Sequence, residues 1–315
     1  MTDIEINLAK ESLKQFGITG SLRRVATGLD QTYRVKANDG RVFALRVSSG
    51  MPIRRVSAFA VEAAWIDALD SNDWFAVPQV QKTERGERFA QVEDRVGIVR
   101  ASTLLSWLPG RRCFQPKAKH ARVMGQMTGA LHQSAKHSVT PAADAIKTWD
   151  ARFMCFMDSS HIEGRSVHPP KIADMVQRIY LGLEEVVASL DPQEIGLINA
   201  DLGLHNVVWH RGQAGLVDFN DAGVGPYAFC LGRLVGRFRK GEYGQVLVDE
   251  ILNGYRDVIP LPSVYEEWGN LFELAADIFK LNYRARRAIH RSTPLRESEL
   301  HIRRSLPDKL KQLGL

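Results

Sequence analysis

Two side chains that suit a hard metal ion flank a short hairpin predicted in the second half of the sequence. The apolar runs Val207–Trp209 and Leu216–Val217 are separated by a turn signal at Arg211-Gly212. Such a hairpin places Asn206 before its first strand and Asp218 after its second, so the two side chains can converge. Mg²⁺ prefers oxygen ligands of this kind and takes only one or two carboxylates besides phosphate oxygens and water. The pattern therefore indicates a site for a metal-bound nucleotide.

A third residue extends this pattern into a recognisable motif. Asp201 lies five residues before Asn206, which is the spacing of a kinase catalytic loop, and Asp218-Phe219 matches the start of the kinase metal motif. With these residues the chain resembles the aminoglycoside phosphotransferase and choline kinase-like family. The motif-bearing segments, residues 197–209 and 215–226, read Leu-Ile-Asn-Ala-Asp-Leu-Gly-Leu-His-Asn-Val-Val-Trp and Gly-Leu-Val-Asp-Phe-Asn-Asp-Ala-Gly-Val-Gly-Pro.

The resemblance implies a role for each residue of the motif. Asp201 would orient the acceptor hydroxyl and accept its proton, Asn206 and Asp218 would hold Mg²⁺, and Asp221 would support them as a further carboxylate. ATP would be the phosphate donor, with GTP as an alternative. The structural alternative is that these residues only cap turns, where Asp and Asn are common.

Weaker signals precede this motif. Phe43-Ala44-Leu45-Arg46 stands where kinases carry a lysine on their third strand, so Arg46 is the candidate cation for the nucleotide phosphates. Glu62, early in the following predicted helix, is its candidate ion-pair partner. The alternative for each is a surface charge on a strand or a helix.

Two further segments are candidates for nucleotide contacts. Gly28 and Gln31 belong to a stretch that resembles the family's phosphate-covering loop, although it holds one glycine where protein kinases have three. Trp107 and Leu108 fall where relatives bind adenine through backbone groups, and a core role for Trp107 is the alternative. His132 is interpreted as a packed structural histidine.

The chain departs from the family pattern at two positions that normally brace the catalytic loop. Asn199 replaces a histidine and Cys230 replaces an aspartate. These departures motivate an alternative function, a nucleotide-binding pseudokinase or regulatory module without turnover.

The elements around these residues predict an α+β, protein-kinase-like fold with two lobes. Helical spacing over 5–16 is followed by two β-like runs around the turn Asn38-Asp39-Gly40, then by a helix over 57–69 and further extended runs up to Leu108. From about residue 117 helices dominate. We therefore predict a small antiparallel β lobe over residues 1–108, which would bind nucleotide, and a larger helical lobe over residues 109–315, which would carry the catalytic and acceptor sites.

Composition narrows the class of protein. Of the 315 residues 44% are apolar and 25% charged, which is ordinary for a soluble globular chain. No stretch reaches the roughly 18 uncharged apolar residues of a membrane span, and the N-terminus lacks the pattern of a secretory signal. Three scattered cysteines suit a reducing compartment. The expectation is a cytoplasmic protein whose partners are a nucleotide and a small hydroxyl acceptor, in an undetermined oligomeric state.

Positive charge is concentrated near the C-terminus. The formal net charge is +6, and Lys280–Lys311 holds ten Lys and Arg residues against three acidic ones. This segment is either a solvated helix face or a contact for an acidic substrate or partner. The charge favours neutral or anionic acceptors over polycationic aminoglycosides. Nucleic acid is poorly supported, because no aromatic-interleaved basic motif or zinc spacing accompanies the charge.

Overall fold

The computed structural model describes residues 3–27, 30–49, 56–69, 75–136, 145–157, 168–239, 244–290 and 293–315. Its strands are β1 (Gly20–Thr27), β2 (Asp30–Ala37), β3 (Val42–Ser48), β4 (Phe75–Ala76), β5 (Val80–Gln81), β6 (Ala90–Glu93), β7 (Val99–Ser106), β8 (Ile195–Asn199), β9 (Val207–His210), β10 (Gln213–Leu216) and β11 (Ala222–Pro226). Its α-helices are α1 (Asp3–Gln15), α2 (Val56–Ala68), α3 (Ala118–Lys136), α4 (Ala151–Phe156), α5 (Pro170–Ala188), α6 (Tyr227–Phe238), α7 (Gly244–Arg256), α8 (Ser263–His290) and α9 (Glu297–Gln312).

The chain divides into two compact units that are not continuous in sequence. The first comprises Met1–Gln115, Pro141–Lys147 and Leu204–Ala222, and the second comprises Pro116–Thr140, Thr148–Gly203 and Gly223–Leu315. The hairpin that follows Asn206 thus belongs to the unit that contains the N-terminal sheet. The lobe boundary that we predict at residue 108 stays a prediction.

An antiparallel sheet forms most of the first unit. The strand order is β1-β2-β3-β7-β5, and β6 pairs with β7. β2 and β3 form the predicted hairpin around Asn38-Asp39-Gly40. Gly40 has a φ of 90°, a backbone conformation that residues with a side chain rarely adopt. One face of the sheet carries an apolar core that includes Tyr33, Val35 and Leu45, and α1 contributes Leu13 to it. The period of two along a strand therefore leaves the opposite face of β3 for other groups.

A second, smaller sheet belongs to the same unit. β9 and β10 pair antiparallel, with Val207 opposite Leu216, and β4 adds to β10 in parallel. The turn between β9 and β10 consists of Arg211 and Gly212, with φ values of 49° and 88°. Positive φ at both central positions matches the right-handed twist of the strands. The turn predicted from Arg211-Gly212 is therefore the one that closes the hairpin.

Helices form most of the second unit, as the sequence predicts. α3 and α7 approach each other closely through two glycines: a Cβ at Gly125 would lie 2.0 Å from the carbonyl oxygen of Ile251, and one at Gly254 would lie 2.0 Å from that of Arg122. β8 and β11 form a two-stranded sheet in this unit. Neither segment is predicted as a strand from the sequence.

The basic C-terminal segment is not only a solvated face. Arg303 contacts Nδ1 of His168 at 3.0 Å, and Nε2 of that histidine lies 2.6 Å from Oδ1 of Asn282. Lys309 forms a 2.7 Å ion pair with Asp277 of α8. Part of the positive charge thus joins α9 to neighbouring elements. Within the described ranges, no helix combines the length and the apolar character needed to cross a bilayer.

Candidate active site

Arg46 is the centre of a buried polar cluster in the first unit. Because Phe43 and Leu45 point into the core under α1, the alternation along β3 turns Arg46 to the other face of the sheet. There its guanidinium donates to Glu62 of α2, and it donates to Oδ2 of Asp30 at 3.1 Å. The Arg46 side chain is only 3% exposed. The cluster therefore links β2, β3 and α2 through one cation.

The surroundings of Arg46 keep it charged. Burial by itself would lower its pKa, but the negative charges of Glu62, Asp30 and Asp218 outweigh burial, and the pKa is raised. A buried ion that loses its partner typically destabilises a protein by about 3–5 kcal/mol, because the remaining charge is left without compensation. Three carboxylates around one guanidinium thus fix both the charge of Arg46 and its place.

The segment after β10 is held from two sides. Asn220 accepts a hydrogen bond from Arg46 through Oδ1, while its backbone carbonyl accepts one from Nζ of Lys147 at 3.1 Å. Lys147 also forms a 2.7 Å ion pair with Asp221. Asp218 accepts the backbone N–H of Asn220 at 2.8 Å, which shapes the turn locally. The Asp218–Asp221 segment is therefore fixed relative to β3.

The predicted metal ligands flank the hairpin as the sequence suggests. The backbone N–H of Val217 donates to the carbonyl of Asn206 at 2.9 Å, so Asn206 and Asp218 lie at the same end of the β9–β10 pair. One carboxylate and one amide oxygen are a donor set that fits Mg²⁺, which completes its shell with phosphate oxygens and water. Asn206 and Asp218 are thus the residues that could hold the ion. Among the described residues no group of three or more His, Cys, Asp or Glu side chains could hold a metal.

Of the other residues predicted to contact the nucleotide, those that the structure describes lie in different local environments. Gly28 lies outside the described residues. The Gln31 side chain donates to Glu5 of α1 at 2.6 Å and accepts from the hydroxyl of Tyr33, so it is engaged beside α1. The backbone N–H of Trp107 donates to Val42 at 3.1 Å, and the guanidinium of Arg34 lies 5.1 Å from the Trp107 ring.

Leu108 lies against the hairpin, where its Cδ1 would be 2.9 Å from a Cβ at Gly215. That close approach explains why a glycine suits position 215. The assignments of Gln31, Trp107 and Leu108 to nucleotide binding stay predictions.

Asp201 belongs to the second unit, where two arginines of α6 hold its carboxylate. Oδ1 of Asp201 accepts from Arg233 at 3.3 Å and also from Arg237. Arg237 further donates to the backbone carbonyls of Asp201, at 3.3 Å, and of Leu202, at 3.1 Å. These contacts fix both the side chain and the backbone of the loop that carries Asp201. Its convergence with Asn206 and Asp218 stays a prediction.

The two residues that depart from the family pattern also contact this loop. Oδ1 of Asn199 accepts the backbone N–H of Asp201 at 3.2 Å, and the thiol of Cys230 donates to the carbonyl of Asn199 at 3.3 Å. Burial raises the pKa of the Cys230 thiol to about 12, so it stays protonated and can donate. Asn199 and Cys230 therefore brace the loop with neutral groups.

Four residues of these arrangements were not predicted from the sequence, namely Asp30, Lys147, Arg233 and Arg237. Arg233 and Arg237 could have been noticed as an i, i+4 pair on one face of an amphipathic helix. Asp30 lies between Gly28 and Gln31, in the stretch that resembles the phosphate-covering loop, but nothing local marks it as a partner of Arg46. The reason is that ion pairs between distant segments leave no periodic pattern.

Comparison with known proteins gives a family and a fold. A family model described as the phosphotransferase enzyme family, of the aminoglycoside phosphotransferase type, matches residues 21–268. A homoserine kinase of Agrobacterium fabrum is 27% identical over 177 residues, which is 51% of this chain and 50% of that protein. The chain thus spans about half the length of this curated relative.

Solved structures of low identity share the architecture. An amicoumacin kinase in complex with AMP-PNP and Ca²⁺ is 18% identical, with a TM-score of 0.79 over 98% of this chain and 94% of its own. For a microcompartment-associated aminopropanol kinase the identity is 20% and the TM-score 0.73, over 96% of this chain and 95% of that one. A choline/ethanolamine kinase family protein from Mesorhizobium loti is 14% identical, with a TM-score of 0.59 over 99% and 95%.

These likenesses confirm the predicted α+β, kinase-like fold. The family model covers well over half of the chain and includes the Asp201, Asn206 and Asp218 motif on which the resemblance was first recognised. The chain therefore belongs to the aminoglycoside phosphotransferase-like family of phosphotransferase enzymes.

Proposed function

We propose that this chain transfers the γ-phosphoryl group of ATP, bound with Mg²⁺, to a hydroxyl group of a small molecule. The observation that carries the proposal is the buried cluster in which Arg46 joins Glu62 of α2 to the segment after β10. Such a cluster would hold Arg46 and the proposed metal ligand Asp218 in fixed relative positions before any ligand binds. Phosphoryl transfer depends mainly on positioning and on stabilising charge, so pre-organisation of this kind supplies much of what it needs.

Each residue has a defined part in the proposed reaction. Arg46 would bind phosphate oxygens of the nucleotide, with Glu62 and Asp30 holding it in place. Asn206 and Asp218 would hold Mg²⁺, which supplies positive charge to the phosphate oxygens when bound. Asp201 would accept a hydrogen bond from the acceptor hydroxyl and take its proton as the oxygen attacks. The transition state of phosphoryl transfer is loose, so a weak base such as a carboxylate is sufficient.

The acceptor is a small hydroxyl compound in this proposal. Two of the similar proteins are named as kinases of homoserine and of aminopropanol, both small amino alcohols, and a third is named for amicoumacin. A first panel should therefore contain small amino alcohols, hydroxy acids and aminoglycosides such as kanamycin.

The decisive test is ATP consumption by the purified chain against this panel, with Mg²⁺ and with a chelator. We expect Mg²⁺-dependent turnover with at least one acceptor and a loss of about 100-fold or more in Asp201→Asn, because the amide cannot take the proton. Asp249→Asn is the matched control, since Asp249 lies exposed on α7 and bonds only Gln245 among the partners observed. It should retain full turnover.

The alternative function, a pseudokinase, predicts a different result for the same purified chain. The replacements at Asn199 and Cys230 favour a pseudokinase that binds nucleotide without turnover. Nucleotide-dependent stabilisation without ATP consumption by any panel member would support this alternative and reject the proposed enzyme.

A further inference from the structure

Two arginines one helical turn apart converge on Asp201. Arg233 and Arg237 are four residues apart on α6, so they lie on the same face of the helix. Arg233 reaches Oδ1 of Asp201 at 3.3 Å, and Arg237 donates to the same oxygen. In the proposed reaction this carboxylate meets the acceptor hydroxyl. The arginines therefore stand beside the position that the acceptor must occupy.

The two arginines differ in how accessible they are. The Arg233 side chain is 10% exposed, and its guanidinium lies 4.7 Å from the ring of Phe279 and 5.4 Å from that of Trp149. Such packing between aromatic faces holds it in place. The Arg237 side chain is 29% exposed. Of these two arginines, Arg237 thus combines contact with Asp201 and substantial access from solvent.

Arg237 has hydrogen-bonding capacity beyond the loop contacts. A guanidinium carries five N–H donors in a planar fork. Nη1 donates to the carbonyls of Asp201 and Leu202, and Nη2 donates one hydrogen bond to the Asp201 carboxylate. Within the part of the chain that the structure describes, Nε–H and the second Nη2–H have no acceptor. Nε and Nη2 form the side edge of the guanidinium, and this edge can donate parallel hydrogen bonds to a two-oxygen ligand.

The positive charge of Arg237 points the same way. A carboxylate is an anion whose two oxygens accept parallel hydrogen bonds from the side edge of a guanidinium. It therefore matches both the charge of Arg237 and the geometry of its remaining donors.

We propose that the side edge of Arg237 binds a carboxylate of the acceptor, so that the preferred substrates are hydroxy acids, including hydroxy amino acids. The inference rests on the proposed function, since it assumes that the acceptor hydroxyl meets Asp201. Arg237 then has two tasks. One edge positions the Asp201 loop, and the other selects the acceptor by its charge.

The test compares acceptors that differ only in the carboxylate. Homoserine and 4-hydroxybutyrate are paired with homoserine amide and 4-hydroxybutyramide, which keep the hydroxyl and lose the charge. We expect the wild type to prefer the acids by about 10-fold or more in kcat/KM. Arg237→Gln should raise the KM of the acids about 10- to 100-fold, the loss expected for a hydrogen-bonded charge pair, while the KM of the amides and of ATP changes less than about 3-fold.

Two further variants distinguish binding of the acceptor carboxylate by Arg237 from a purely structural role of this residue. Arg237→Lys keeps the charge but loses the fork, and should recover part of the preference for acids. Arg239→Gln is the matched control, because Arg239 follows the same helix and pairs with Glu273 at 2.7 Å. It should leave the preference unchanged. An equal rise in the KM of the acids and of the amides in Arg237→Gln, or a parallel rise in the KM of ATP, would overturn the inference.

Calorimetry measures binding of the acceptor without turnover, so it tests the carboxylate site separately from the proposed function. If no acceptor is phosphorylated by the wild type, the proposed function fails. Tighter binding of 4-hydroxybutyrate than of its amide, abolished in Arg237→Gln, would still support the carboxylate site. Equal binding of the acid and the amide, or no binding of either, would reject the site.

Discussion

Arg46 shows what a guanidinium can do that an ammonium cannot at the same position. Its Nη1 donates to Glu62, while its Nη2 donates to Asp30 and to Asn220. The fork directs donors to partners that come from α2, from β2 and from the segment after β10. A lysine would bring three donors on a single atom and could not span the same partners. The arginine at this position therefore fits a cluster with several acceptors.

His132 is a residue whose burial has a measurable consequence. It is fully buried on α3, its Nδ1 lies 2.9 Å from the hydroxyl of Tyr255, and its ring stacks on Tyr227 with centroids 4.5 Å apart. Burial, with a smaller contribution from the charge of Lys136, lowers the pKa of His132 to about 3. The folded protein therefore keeps this ring neutral at pH values where the unfolded chain binds a proton.

The sign of the resulting pH dependence follows from linkage. With a histidine pKa of about 6.5 in the unfolded chain, acidification from there towards pH 3 favours unfolding by about 1.4 kcal/mol per pH unit. We expect the difference in the free energy of unfolding between the wild type and His132→Asn to shrink by this amount for each pH unit of acidification. Urea titrations of both proteins between pH 7 and pH 4 measure it. A gap that stays constant with pH would show that His132 is not the titrating group.

The contact between α3 and α7 requires two glycines. Because a Cβ at Gly125 would lie 2.0 Å from the carbonyl oxygen of Ile251, the helices would have to separate to admit even one methyl group. We expect Gly125→Ala to lower the free energy of unfolding by about 1–3 kcal/mol, the usual cost of overpacking. Thermal and urea unfolding of the purified variant check this expectation.

Gly236 provides the control for this substitution. It lies within α6, and a Cβ there would meet nothing within 4 Å. Gly236→Ala should therefore be neutral or stabilising by up to about 1 kcal/mol, since alanine has the higher helix propensity. If both variants were equally destabilised, close packing would not explain the effect at Gly125.

At the scale of the whole molecule, ligand binding should appear as a gain in stability. A ligand that binds only the folded protein stabilises it by about 2.7 kcal/mol at 100 times its dissociation constant. We expect AMP-PNP with Mg²⁺ to raise the unfolding midpoint by about 5 °C, and a chelator or Asp218→Asn to remove most of that shift. The net charge of +6 adds a general attraction for such anions.

The controls for this experiment address that general attraction. Sodium sulfate at the same ionic strength should give a much smaller shift, because it supplies anions without a nucleotide. A shift that is the same with and without Mg²⁺ would contradict the assignment of Asn206 and Asp218 to the metal. No shift at all would argue against a nucleotide site.

The sequence alone determined the features that depend on neighbours along the chain. The hairpin over β9 and β10 follows from alternating apolar residues and the Arg211-Gly212 turn, and its spacing places Asn206 and Asp218 at one end. The family resemblance rested on this short stretch together with Asp201, and the kinase-like fold was predicted both from the resemblance and from the order of helices and strands. Such features are readable because local hydrogen bonding and side-chain periodicity act over a few residues.

The tertiary structure alone decided which distant groups meet. Asn220 contacts Arg46 across 174 positions, and Arg237 contacts Asp201 across 36. Neither pairing leaves a trace in composition or periodicity, because an ion pair requires only that two side chains end near each other after the whole chain has packed. For that reason Asp30 beside Arg46 and the arginines around Asp201 became visible only once the elements that carry them were in place, whereas Glu62 was expected from the family resemblance.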